Sequence, residues 1–333
     1  LFILRLAAGK LSFFNGKRAM IKEGNKYLLL TFDTESDIGS WTQDYTSIDK
    51  ALPLILKVLA EKKVAATFLW EGMAALHNPD MVKRVHMAGH ESGGHSLKHE
   101  TIGNPSYFIP GDRAILPEEI PNRIKRTTEI IEGITGVQPI SFRAPRLWGS
   151  ETMLKVLDEV GYLIDSTRAI AGEHDSLFPY HPDSSDSSKP GNMQILEIPV
   201  AGIYGEMIKL VGENIRRFGI ETGGGNDSIG QWPILRMYGA QELAVFLKPF
   251  IQKQIHARGY SVVCVYLHSW EFIPMPAMLE GPEAKVELAR TLHENCGDYT
   301  LKALAEFIDI FKDSRFTFLT MKDFYGKWKE PND

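Results

Sequence analysis

Apolar and polar positions change period several times along this chain. Tyr27 to Phe32 is an apolar run that ends in Asp33, the pattern of a strand buried on both faces. Leu52, Ile55, Leu56 and Leu59 then recur at helical spacing, and Ser47 or Asp49 is placed to cap a helix running to about Lys63. Val64 to Trp70 reads as a second strand. Pro79 opens a helix toward Ala88 that Gly89 closes. Glu118 to Thr135 carries Ile120, Ile124, Ile130, Ile131 and Ile134 broadly on one side and stops at Gly136. Further strands are expected at Pro139–Phe142, Tyr162–Asp165, Ile195–Val200, Ser261–Leu267 and Phe316–Leu319. Helices are expected over Glu151–Val160, Gln241–Arg258 and Leu301–Lys312, with a terminal helix after the last strand. The stretch from 172 to 192 holds the loop-forming run Asp183-Ser-Ser-Asp-Ser-Ser-Lys-Pro190. Gly219 to Gly230 is glycine-rich and reads as a second loop, without the Lys-Ser/Thr ending of a phosphate-binding loop.

About eight short strands alternating with helices predict an α/β fold with a mainly parallel sheet. A distorted TIM-like (β/α) barrel of seven or eight strands fits better than an open sheet. Asp33, Arg143, Asp165 and His268 all fall at or just past strand C-termini, the end of a barrel that carries its active site. The expected organisation is an N-terminal extension over 1–25, one catalytic barrel over 26–325 with a loop-rich insertion at 172–240, and a tail over 326–333.

Composition narrows the function classes. The chain has 333 residues, 44% hydrophobic and 24% charged, which is ordinary for a globular protein. A net charge of -5 without a long basic run argues against nucleic-acid partners. Cys264 and Cys296 are far apart, and Cys264 lies in an apolar strand as a small buried hydrophobe. Leu1 to Ala8 is apolar but far short of the roughly 20 residues that span a bilayer; it reads as a packed terminal helix or the stub of an anchor. Cytoplasmic and envelope-associated locations both stay open, as does the oligomeric state.

Five short segments carry chemistry. In Gly89-His-Glu-Ser-Gly-Gly-His95-Ser-Leu-Lys-His99, two histidines four apart would share one face of a helical turn and could bind one metal ion. Thr31-Phe-Asp33-Thr-Glu35 supplies two carboxylates after a buried strand. One could ligate the ion and the other act as base, and spacing alone leaves the choice open. Ser141-Phe-Arg143-Ala-Pro145-Arg146, Tyr162-Leu-Ile-Asp165-Ser166 and Tyr266-Leu-His268-Ser-Trp270-Glu271 complete the set. Trp148, Trp232, Trp270 and Tyr204 are candidates to stack on a sugar ring.

In this order, the five segments resemble the polysaccharide deacetylases, the NodB-homology family also called carbohydrate esterase family 4. That family shows an aspartate pair after the first strand, then His-Ser/Thr-x-x-His, Arg-x-Pro, Asp and Leu-x-His motifs. The likeness spans about residues 26 to 325. This chain departs from it in having Asp33-Thr-Glu35 for the commoner Asp-Asp-Gly, and Arg146 where tyrosine is common. The resemblance implies a hydrolase acting on a non-peptide C–N bond that removes an acetyl group from an amino sugar or polysaccharide. Asp33 would be the base, His268 the acid, and Glu35, His95 and His99 the ligands of a divalent metal, usually zinc and sometimes cobalt or nickel. Arg143 would pair with Asp33, and Asp165 with His268. The backbone N–H of Arg146 would face the oxyanion, and Arg146, Trp148 and Trp270 would touch substrate. The nearest alternatives are a deformylase or an allantoinase-like amidase on the same barrel, and, from another class, a non-catalytic carbohydrate-binding protein.

Overall fold

A computed structural model of the chain describes residues 24–39, 42–105, 113–221, 227–280 and 285–328. The apolar stretch Leu1–Ala8 lies outside the described residues. The strands in chain order are β1 (Lys26–Thr34), β2 (Thr67–Trp70), β3 (Glu91–Gly94), β4 (Ser141–Phe142), β5 (Ile164–Asp165), β6 (Leu196–Glu197), β7 (Gly202–Tyr204), β8 (Ser228–Gly230), β9 (Ser261–His268), β10 (Met278–Glu280), β11 (Lys285–Glu287) and β12 (Thr317–Leu319).

The main sheet runs β12-β1-β2-β3-β4-β5-β6 with β9 also pairing β1, and every one of these pairings is parallel. Along β1, β12 takes Tyr27–Leu29 while β2 takes Thr31–Thr34. Past β6, Val200 bridges Cys264 of β9 in parallel, and the Ala201 N–H donates to the Cys264 carbonyl at 3.0 Å. That contact curls the sheet round on itself into the distorted barrel expected from the strand–helix alternation.

Leu28, Leu29, Leu30 and Phe32 of β1 are fully buried, as a strand covered on both faces requires. Phe32 stacks on Phe68 of the neighbouring strand with centroids 4.9 Å apart. Outside the barrel, the helix Leu52–Lys62 buries Leu52, Ile55, Leu56 and Leu59, the stripe its spacing predicted. Each such side chain contributes roughly 1.5–3 kcal/mol on burial. The helices Ala240–Arg258 and Asp298–Asp313 pack into the same core through Phe246, Phe250, Phe307 and Phe311.

Several local expectations change. The helix after β1 is two pieces, Thr46–Lys50 and Leu52–Lys62, neither with a side-chain cap; the Ser47 N–H is taken by Asp37 Oδ1 at 3.0 Å instead. The Glu151–Val160 helix has the bounds expected, with the Ser150 hydroxyl accepting from the Met153 N–H at 3.2 Å. The region 172–240 is not only loop: it contains the antiparallel β7–β8 pair and the helices Glu213–Glu221 and Ile234–Tyr238. Part of the glycine-rich stretch is thus helix and strand, and residues 222–226 of it lie outside the described residues.

The largest change is at Gly89–His99, where the expected helical turn is absent. Glu91–Gly94 is a strand in register with Thr67–Trp70, and His95 and His99 follow it in a loop. The glycines are there because strands approach closely: a Cβ on Gly93 would sit 2.3 Å from Ser141 Oγ and 2.6 Å from Leu69 Cδ2. Ser96 and His99 adopt positive φ, 64° and 54°, so the loop reverses twice within five residues. Among the described residues, no helix is long and apolar enough to cross a membrane.

Candidate active site and metal centre

The C-terminal ends of the strands bring the sequence-selected side chains together. Asp33 pairs with Leu69 on one side and His268 on the other, while Phe142 pairs with Gly94 and with Asp165. Glu35 follows one residue past β1, His95 one past β3 and Arg143 one past β4.

Glu35, His95 and His99 form one buried cluster. His99 Nε2 lies 2.6 Å and His95 Nε2 3.2 Å from the same oxygen, Glu35 Oε2. The other ring nitrogen of His95, Nδ1, meets the Arg143 carbonyl oxygen at 2.8 Å. A carbonyl only accepts, so Nδ1 carries the hydrogen, which in the neutral ring leaves the Nε2 lone pair toward the cluster. The second Glu35 oxygen, Oε1, accepts from Trp270 Nε1 at 3.1 Å. One potential donor atom from each of the three residues lies within 4.8 Å of the others. A carboxylate with two imidazoles, buried and oriented by further hydrogen bonds, is a donor set suited to a zinc-like divalent ion. The residues therefore fit a metal. This arrangement also separates the two acids that spacing left open: Glu35, not Asp33, sits among the histidines.

Burial alone would push the Glu35 carboxyl up, but His99, His268 and His95 together hold it well below the usual carboxylate range. Burial pulls His95 down, and the Asp33 and Glu35 charges more than offset it. In His99 burial prevails and the pKa falls.

Asp33 lies beside this cluster and is held by Arg143, whose Nη1 donates to Asp33 Oδ1 at 2.7 Å and to Thr31 Oγ1 at 2.8 Å. The rest of the guanidinium is also satisfied: Nε donates to the Ser166 carbonyl at 2.8 Å, and Nη2 to Ser166 Oγ at 2.9 Å. Cys264 Sγ borders it at 3.4 Å. Cys264 is a buried free thiol, as expected of a small core residue in a strand.

His268 Nε2 points at Glu35 Oε1, 4.0 Å away. Its ring stacks on Trp270 at 5.2 Å and 22°. Nδ1 meets Glu271 Oε1 at 3.1 Å, and Glu271 is in turn held by Arg236 Nε at 2.9 Å and Trp232 Nε1 at 3.0 Å. Burial opposes the His268 charge, but Glu35 and Glu271 raise the pKa above the ordinary imidazole value.

The expected partnership of Asp165 with His268 is not what the structure contains. Asp165 Oδ1 accepts from Thr167 Oγ1 at 2.6 Å, and its register partner on β6 is Glu197. Burial and then the Asp165 charge push Glu197 far up. Glu197 Oε1 accepts from the Arg168 N–H at 3.0 Å, while Oε2 meets no hydrogen-bond partner among the described residues.

The substrate-contact candidates also divide. Trp148 and Trp270 are 1% and 2% exposed, so neither offers an open ring face; Trp148 packs under Arg146 and Trp270 under His268. Arg146 Nη1 donates to the His99 carbonyl and to Thr101 Oγ1, both at 3.2 Å, which ties it to the histidine loop. Tyr204 is buried and accepts from Lys253 Nζ at 2.7 Å. Trp232 is half-buried and lines a cavity of ≈ 920 Å³ beside the site, together with Tyr266, Arg146 and Arg168.

Glu271, Arg236 and Glu197 are the functional-site residues that sequence reasoning missed. Only Glu271 had a local signal, three residues after His268 in a turn.

Residues 21–164 match the family model for polysaccharide deacetylases. This segment belongs to the polysaccharide deacetylase family. Peptidoglycan-N-acetylglucosamine deacetylase of Bacillus cereus is 27% identical over 171 residues, which are 51% of this chain and 65% of that protein. Peptidoglycan-N-acetylglucosamine deacetylase PgdA of Listeria monocytogenes is 30% identical over 137 residues, 41% of this chain and 24% of that protein. The chain thus spans less than two thirds of these deacetylases. In fold, it is similar to a “probable polysaccharide deacetylase” from Pseudomonas aeruginosa PAO1, at TM-score 0.58 and 14% identity, covering 93% of this chain and 92% of that one. A structure from Mycobacterium smegmatis carrying the same family name matches at TM-score 0.55 and 19% identity, over 91% and 89% of the two chains.

Proposed function

We propose that this protein is a metal-dependent N-deacetylase that hydrolyses the acetamide of an N-acetylated amino sugar, within a polymer of the peptidoglycan or chitin kind. The observation that carries the proposal is the convergence of three buried donors, Glu35, His95 and His99, with an arginine-held carboxylate and a carboxylate-held histidine on neighbouring strands. The match of residues 21–164 to the deacetylase family and the activities named for the relatives support it.

Glu35, His95 and His99 would hold the divalent ion, zinc, cobalt or nickel. Once bound, that ion supplies Lewis acidity to the amide carbonyl and to the attacking water. Asp33 takes the proton of that water, and Arg143 holds and aims its carboxylate. His268 delivers a proton through Nε2 to the leaving nitrogen, which would otherwise depart as a strongly basic amide anion. Asp33 and His268 are register partners on β1 and β9, so base and acid approach the reacting carbon from adjacent strands. The backbone N–H of Arg146 serves as a further donor to the developing oxyanion, and Trp232 offers a ring to the sugar at the cavity wall.

The test is product release from metal-loaded protein incubated with N-acetylglucosamine oligomers and with peptidoglycan fragments. Acetate in equal amount to new free amine is the expected result. Formate from N-formyl sugars, or ring-opened product from a cyclic amide, with no acetate, would contradict the acetyl assignment.

A further inference from the structure

We propose that Glu271, locked by Arg236 and Trp232, is the positioning residue that fixes the ring orientation and tautomer of His268, in place of Asp165. The assignment rests on the reading of His268 as the general acid.

His268 ends β9, and the chain turns immediately into a short 3-10 segment, Ser269–Phe272. The turn brings Glu271 back under the histidine it follows. Glu271 Oε1 accepts from the His268 backbone N–H at 2.8 Å and faces ring Nδ1 at 3.1 Å. One carboxylate oxygen thus holds both the strand end and the ring. Neither Glu271 nor Arg236 has any exposed surface, so their ion pair is withdrawn from water. The remaining Arg236 nitrogens donate to the carbonyls of Glu294, at 2.5 Å, and Thr291. Trp232 Nε1 adds a further donor to Oε1 at 3.0 Å. A carboxylate with this many fixed donors cannot swing away, and it accepts only a hydrogen carried on Nδ1.

The ring is confined from its other sides as well. Trp270 stacks on it, and Trp232 and Tyr266 meet it edge-on, at 5.2 Å and 5.5 Å between centroids. Nε2 is left directed toward Glu35. Asp165 is engaged by Thr167 and faces Glu197 across the β5–β6 register, and no hydrogen bond or ion pair joins it to His268 among the described residues. The geometry that a general acid requires, Nδ1–H pinned and Nε2 presented to the site, is therefore built by the turn that follows β9.

The experiment reads the tautomer without substrate or metal. Full-length protein labelled with 15N-histidine is examined by long-range 1H–15N correlation at a pH where the ring is neutral, with His268 identified by its missing signal in His268→Gln. Wild type is expected to show Nδ1 protonated. In Glu271→Gln, and in the double variant Glu271→Leu/Arg236→Met that replaces the buried pair with apolar groups and guards against misfolding, the Nε2–H tautomer should gain population. Asp165→Asn should leave the His268 pattern as in wild type. In turnover, the folded Glu271 variants should lose kcat by tenfold or more at nearly unchanged KM and metal content, from the order-of-magnitude range of general-acid contributions. An unchanged tautomer in both Glu271 variants, or a shifted one in Asp165→Asn, overturns the assignment even if wild type proves an active deacetylase. An inactive wild type with the expected tautomer pattern would instead discard the functional reading and keep the positioning.

Discussion

Two acid pairs sit at the C-terminal ends of the barrel strands, and they end in opposite states. Asp33 is paired with Arg143, and His99, His268 and His95 hold the Glu35 carboxyl well below the usual carboxylate range although Glu35 is 2% exposed. Asp165 and Glu197 are buried as deeply, but burial pushes both upward, and the Asp165 charge pushes Glu197 further. Equal burial therefore does not decide whether an acid works as a charge; the surrounding cations do. On the proposed mechanism, the catalytic charge belongs to the first pair. The second is a pair of neighbouring acids on β5 and β6, and burial raises the pKa of both.

The largest effect that would sharpen this contrast is on turnover. On the proposed mechanism, His268→Ala lowers kcat by about 10²–10⁴-fold and keeps its metal; loss of the metal from this variant would make His268 a ligand instead. Next comes stability at the charged pair. Arg143→Ala leaves Asp33, 3% exposed, without its counter-ion and should cost about 3–5 kcal/mol in urea unfolding at neutral pH. A cost within the range of a surface substitution would mean that water reaches Asp33 freely.

The smallest effect belongs to the Asp165–Glu197 pair, and its sign is opposite to that of an ordinary salt-bridged acid. Glu197 binds its proton more tightly when folded than when unfolded, where it titrates near about 4.3. In the window above that value the folded state holds more protons, so stability is full below it and falls as pH rises toward the raised folded pKa. Glu197→Gln keeps a neutral group there and should flatten this decline between mildly acidic and neutral pH in denaturant titrations. A decline as steep as in wild type would show that the pair does not hold the proton.

The contrast also marks what was legible in the sequence. The apolar run of β1 and the stripe of Leu52–Lys62 express burial directly, so the strand–helix alternation, and with it the barrel, could be read from residue types alone. His95, His99, Arg143 and His268 were selected by the order of their motifs, which resembles that of the polysaccharide deacetylases. Spacing did not separate the roles of Asp33 and Glu35, which only the family resemblance assigned. They differ by two positions, and which one turns toward the histidines depends on where β1 stops. The helical turn drawn for His95 and His99 failed for a similar reason: four-residue spacing fits a helix, but Gly93 and Gly94 serve close strand packing, which is a tertiary fact. The partner of Asp165 is set by β5–β6 register, and Arg236 reaches Glu271 across 35 positions, so neither could be inferred locally.

The claim on which the rest depends is that Glu35, His95 and His99 together hold one divalent ion. Metal content per chain, measured by mass spectrometry after exhaustive dialysis of zinc-loaded protein, tests it most directly. The account predicts about one zinc per chain in wild type and in Asp33→Asn, and almost none in His95→Ala or His99→Ala that remain folded by circular dichroism. Stoichiometric zinc in the folded histidine variants would contradict it.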